Sequence, residues 1–161
     1  RGSPGCGGPR PWVSREACAK RIGSCAPSSP LEKCCMRSHT ARWVRKAEAD
    51  WLGAQTLGQS GSRLNDLICF HCQQMAEKYL KALLQEVGAV VPRTHNLEDL
   101  WHLLLPHDAT LRPLRRPLVS LSRFAVDYRY PGMSASRRDA QSALRMTDRV
   151  RNELRRRLGL S

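Results

Sequence analysis

Apolar residues recur at helical spacing through most of the chain after Trp43, and nowhere do they alternate as a half-buried strand requires. The longest uninterrupted case covers residues 63–87. It contains no Gly or Pro, is rich in strong helix formers, and places Leu64, Ile68, Cys72, Met75, Tyr79 and Leu83 on one face that needs a partner surface to bury it. The same reading gives four more helices. Trp43, Val44, Ala47, Trp51 and Ala54 define a first one over residues 40–57, and the GQSGSR run after it supplies the turn that lets the long helix return antiparallel. Gly88 ends the long helix in a left-handed cap, Pro92 blocks continuation, and Asn96 caps a short helix as far as Leu105, with Glu98 and Asp99 in its first turn. A fourth helix covers residues 114–128 and stops at Pro131. Ser136 caps the last, which runs to about Leu158, with Asp139 expected to close a capping box only imperfectly because Glu or Gln is preferred there. The pattern predicts an all-α bundle of five helices with no strand and no internal repeat.

Residues 1–35 are dense in Gly, Pro, Ser and Cys and carry neither periodicity, so the division expected is a disordered tail over 1–38 and a bundle domain over 39–159. Met36 stands just before the first periodic segment and is a candidate start of translation. The segment upstream is then an artefact of gene calling or cloning; the rival reading is a basic tail that binds nucleic acid. Seven cysteines is an odd count, with five of them in the first 35 residues and the two helical ones where a buried small residue would serve, which argues against a disulfide framework. No apolar run approaches the roughly 18 residues of a membrane span, and the N-terminus lacks the apolar segment of a signal peptide. The expectation is a soluble, cytoplasmic protein with no membrane partner.

Charge adds a class of partner. Lys and Arg number 27 against 14 Asp and Glu, a formal net charge of +13 that favours a polyanion such as a nucleotide or RNA, although so general an Arg excess also fits a merely solvated surface. Beside the apolar face of the long helix, His71, Gln74, Lys78 and Lys81 share an edge where imidazole, carboxamide and two amines project together. The plainer reading has His71 satisfied by a backbone carbonyl, the lysines snorkelling, and Glu77 pairing with Lys81 as a surface support. Cys69 and Cys72 flank His71 like half a metal site, but one pair does not make a tetrahedral set and no second pair stands at finger-like spacing, so neither metal nor cofactor is expected. No phosphate-cradling Gly loop or defensible Ser-His-Asp arrangement is present. Arg129 and Tyr130, just before Pro131, suit a helix C-terminus and a loop packing; alternatively Arg129 meets a phosphate and Tyr130 stacks on a base.

Four stretches also carry a family resemblance. CFHCQQMAEKYLKALL, residues 69–84, resembles the signature helix of HEPN domains, with Cys72 where a small Ala is usual. WVRKAEADW, residues 43–51, resembles the opening of such domains. PRTHNL, residues 92–97, resembles their Thr-His-Asp-Leu element with Asn96 for Asp, and FAVDYRYPG, residues 124–132, resembles their Tyr-Ala-Val-Glu-x-Arg-Tyr-Pro-Gly segment. The resemblance implies an up-and-down antiparallel helical bundle that often dimerises. Its members act as partners or substrate-binding subunits of minimal nucleotidyltransferases, as nucleotide-binding modules, or as metal-independent ribonucleases in toxin–antitoxin and defence systems.

The ribonuclease members carry an Arg followed, after four to six residues, by a His, and this chain lacks it: Arg63 precedes His71 by too many residues, Arg93 precedes His95 by too few, and no Arg from Arg112 onward has a later His. A general base placed that way is missing. Some members use Tyr instead, and Arg123 is followed by Tyr128 after four residues and by Tyr130 after six. The expectation is therefore a homodimeric binding module that holds nucleotide or RNA phosphate through His71, Gln74, Lys78, Lys81, Arg129 and Tyr130 and partners a minimal nucleotidyltransferase. The alternative is an endoribonuclease toxin using Arg123 with Tyr128 or Tyr130.

Overall fold

Five α-helices form where the periodicity places them. In a computed structural model, which describes residues 38–60, 64–128 and 132–160, they are α1 (Ser38–Gln59), α2 (Asn65–Val87), α3 (Leu97–Leu104), α4 (Arg115–Asp127) and α5 (Arg137–Arg157). No strand occurs among the described residues. A 3-10 helix over Ala109–Leu114, absent from the sequence reading, leads straight into α4; Asp108 opens it by accepting from the Thr110 N–H at 3.0 Å. Pro117 falls in the first turn of α4, where no backbone donor is needed. Residues 1–37 of the segment expected to be a tail lie outside the described residues, while its last residue, Ser38, already belongs to α1; Arg129, Tyr130 and Pro131 also lie outside the described residues.

The ends of the helices follow from local chemistry. Gly88 takes φ 77° after α2, and the Ala89 N–H reaches back to the Leu84 carbonyl at 2.9 Å, the Schellman closure that a residue with a side chain makes only under strain. The Asn96 side chain accepts from the Glu98 N–H at 3.0 Å at the start of α3. At α5 the capping box is closed in both directions: Ser136 Oγ accepts from the Asp139 N–H at 3.2 Å, and Asp139 Oδ2 accepts from the Ser136 N–H at 2.9 Å. The imperfect box expected from an Asp is thus corrected, because the shorter side chain still reaches its own cap.

Registers of the side-chain contacts give the topology. Along α1, from Trp43 to Gly53, the partners on α2 run backwards from Lys81 to His71, so the two helices are antiparallel. From Glu48 to Gly58 the partners on α5 likewise run backwards, from Arg151 to Leu144. The helices α2 and α5 are therefore parallel, tied at the start by the Ala135 N–H donating to Asp66 and further on by Arg155 reaching the Tyr79 hydroxyl at 3.4 Å. After α2 the chain doubles back along it, for the His95 carbonyl accepts from Gln73 Nε2 at 3.0 Å. The short α3 and then α4 complete the alternation.

Helix α2 is the centre of the bundle, packed on α1, α3, α4 and α5. The single apolar face read from its sequence is too narrow a description: 13 of its 23 residues are buried, and between Gln73 and Leu84 only Gln74 and Lys78 escape full burial. Leu64, placed on that face, is instead 49% exposed, at the N-cap ahead of the helix. One polar junction crosses this core. The Tyr79 hydroxyl donates to Glu48, which also accepts from Arg151 Nη2 at 2.6 Å and Arg155 Nη1 at 2.8 Å, linking α1, α2 and α5. Burial raises the Glu48 carboxyl, but the donors Arg151, Tyr79 and Arg155 together outweigh it and hold the group below its ordinary value.

Candidate functional site

The polar edge of α2 is drawn into two clusters, each centred on a carboxylate. In the first, Asp50 of α1 receives His71 Nδ1 at 3.1 Å on one oxygen and an ion pair from Lys78 on the other. The three side chains are only partly covered, His71 27% and Lys78 19% exposed over an Asp50 that is 13% exposed. His71 is therefore satisfied by a carboxylate and not by the backbone carbonyl that the plainer sequence reading assigned. Its ring lies against α1 at Gly53.

The second cluster is deeper. Glu77 is 5% exposed and gathers Lys81 Nζ at 2.8 Å, His95 Nδ1 at 3.1 Å, Gln73 Nε2 at 3.1 Å and Gln74 Nε2 at 3.3 Å. The Glu77–Lys81 pair is present at the expected spacing, but it is buried and not a surface support. Burial raises the Glu77 carboxyl, while Lys81, His95 and Gln73 lower it by more, so the net direction is down. Lys81 also stands 5.7 Å over the Trp43 ring, and the His95 side chain, 75% exposed, is the cluster's opening to water. The four predicted residues thus divide between the two clusters, His71 and Lys78 on Asp50, Gln74 and Lys81 on Glu77.

Asp50, Gln73, Glu77 and His95 complete these clusters and were absent from the sequence-derived site. Asp50 and His95 do fall inside the WVRKAEADW and PRTHNL stretches, which was the available signal. Their roles depend on contacts across 21 and 18 residues of chain, which helical spacing cannot reveal.

Arg129 and Tyr130 lie outside the described residues. Tyr128, at the end of α4, stacks on Phe124 with ring centroids 5.8 Å apart and planes 20° from parallel. Its neighbours Asp139 and Cys69 lie near the starts of α5 and α2. His71, two residues beyond Cys69, turns instead toward α1, so within one chain the end of α4 and the His71 edge lie on different sides of α2. Arg123 is exposed on α4. Cys69 and Cys72 are buried thiols, both pushed up to about 12 chiefly by burial, which keeps them protonated and unreactive. Among the described residues no three His, Cys, Asp or Glu side chains are grouped so as to hold a metal ion, and no helix is long and apolar enough to cross a membrane.

Comparison with known proteins places this arrangement. The chain is similar to the crystal structure of TT1696 from Thermus thermophilus, with a TM-score of 0.65 and 25% identity over 75% of this chain and 99% of that one. It is also similar to ST0689, an archaeal HEPN homologue, with a TM-score of 0.57 and 27% identity over 72% of this chain and 94% of that one. No curated protein matches it. The family model for the HEPN domain matches residues 40–157, nearly the whole of the described bundle, and the chain belongs to that family.

Proposed function

We propose that this HEPN domain is a binding module for the phosphate of a nucleotide or an RNA, and that it serves as the helical partner of a minimal nucleotidyltransferase in a toxin–antitoxin-like pair. The observation that carries the reading is the state of the groups a ribonuclease would use as bases. No Arg stands four to six residues before His71 or His95, and their carboxylate partners Asp50 and Glu77 orient the rings without supplying that arginine. Burial and the Asp139 carboxylate push the Tyr128 phenol up, away from the ionisation that general-base work needs. Binding makes no such demand. Arg129 supplies a forked guanidinium for phosphate and Tyr130 a ring for a base, with His71 and Lys78 as the more exposed part of the α2 edge and Gln74 and Lys81 behind them.

Because the His71 edge and the end of α4 face different sides of α2, the reading is completed by two copies, the Arg129 of one approaching the α2 edge of the other. HEPN domains often dimerise, and Leu64, Leu67 and Phe70 leave an apolar stripe, 49%, 41% and 36% exposed, on the first turns of the same helix.

Titration of the full chain with mononucleotides and with a short single-stranded RNA, at several salt concentrations, tests the proposal. Arg129→Ala is expected to weaken binding about tenfold and leave the thermal melt nearly unchanged. If that variant instead unfolds the protein while its residual affinity stays intact, Arg129 is a structural cap and the assignment is wrong.

A further inference from the structure

Four of the eight arginines of α5 are spoken for. Arg151 and Arg155 pair with Glu48, Arg156 and Arg157 with Glu153, and Arg157 also with Asp108. All three acids of α5 are turned to other work: Asp139 closes the capping box, Asp148 accepts from Trp51 and Gln55 of α1, and Glu153 holds its two arginines. What remains is asymmetric. Arg145 and Arg149 of α5 and Arg116 of α4 are exposed, have no carboxylate within ion-pair distance among the described residues, and line one groove of about 380 Å³ between the two helices. The hydroxyls of Ser120 and Ser142 line the same groove, and half-buried Met146 gives it an apolar surface.

We propose that this α4–α5 groove seats the sugar–phosphate backbone of a single RNA strand. The proposal rests on the RNA-binding reading above and adds where the strand lies, apart from the α2 edge. Arg145 and Arg149 are one turn apart, roughly 6 Å along the helix axis, and Arg116 stands on the opposite wall. Three guanidiniums spread over both walls are spaced for successive phosphates along a strand, whereas one mononucleotide phosphate would engage only part of the set. Helices packed directly, about 8–10 Å between axes, leave only a surface furrow along their seam, which can follow one backbone and is too narrow for a duplex. Among the described residues no aromatic side chain lines the groove, so binding there is carried by charge and hydroxyl contacts and is indifferent to base sequence.

The test is fluorescence anisotropy of the full chain with a labelled single-stranded RNA over a salt series, comparing wild type, the triple variant Arg116→Ala/Arg145→Ala/Arg149→Ala, and an equal-charge control, Arg42→Ala/Arg45→Ala/Lys46→Ala, on the exposed face of α1. The groove triple is expected to weaken binding about 100-fold and to flatten the log–log salt slope by about two, since each phosphate contact on a single strand contributes roughly 0.7. The control is expected to lose about threefold. Arg145→Lys, which keeps the charge, should retain most of the affinity and guards against a folding artefact in the triple.

Equal losses in the groove triple and the control overturn the groove. So does unchanged affinity in the triple, which leaves the RNA-binding reading standing. Competition by AMP or by polyglutamate as effective as competition by unlabelled RNA assigns the cations to another ligand class and also overturns it. Wild type that binds neither RNA nor nucleotide removes the underlying reading itself.

Discussion

At the scale of single residues, the most informative side chain is Glu48, a partly buried carboxylate held below its ordinary value despite burial. Glu77 is shifted in the same direction by its own ring of donors. A carboxyl whose folded value is depressed contributes stability that is fully present above its unfolded value, about 4.3, and is lost as pH falls through the folded one. The thermal melt is therefore expected to be flat from pH 7 to about 5 and to drop steadily in more acid solution. Glu48→Gln should cost about 2–3 kcal/mol at pH 7, leaving Arg151 and Arg155 short of a counter-charge, and should shrink the further loss on acidification. A Glu48→Gln protein whose acid transition matches that of wild type would show that this junction does not govern acid stability. None of the junction was legible beforehand. Helical spacing identified Tyr79 as core and put His71 beside Lys78, but the carboxylates they meet lie 31, 21 and 28 residues earlier in the chain. Periodicity speaks of one helix at a time.

At the scale of elements, the sequence was a good guide to where helices begin and end, because caps are local. Gly88, Asn96 and Ser136 act within a few residues of themselves, and all three do what their positions suggest. It was a poor guide to how much of a helix is covered, since the number of neighbours is a tertiary property, and α2 has four. Helix α1 offers a test of the same distinction. Gly53 lies inside it, where glycine is unfavourable, and a Cβ added there would meet the His71 ring at 3.6 Å, an ordinary van der Waals distance. Gly53→Ala is thus expected to stabilise the protein by about 0.5–1 kcal/mol, read as a higher denaturant midpoint with an unchanged slope. Destabilisation would mean that His71 needs more room over α1 than the contact distance suggests.

At the scale of the whole molecule, the bundle buries one continuous core and yet leaves Leu64, Leu67 and Phe70 on the surface together, at the end of its most deeply packed helix. Scattered apolar side chains need no explanation, but a stripe beside a family-like site does. We propose that self-association covers it. In a two-fold dimer the same stripe meets itself, so every substitution is felt twice, and each buried leucine or phenylalanine contributes about 1.5–3 kcal/mol. Leu67→Glu with Phe70→Glu is then expected to weaken the dimer by about 100-fold or more, turning it into a monomer by light scattering at micromolar concentration. Both positions are exposed in the single chain, so the melt of the dissociated protein should remain cooperative. A variant that stays dimeric places the interface elsewhere, and wild type that is monomeric at tens of micromolar removes the dimer altogether. In that case the Arg129 of one copy has no second α2 edge to approach, and phosphate binding would have to be sought within a single chain.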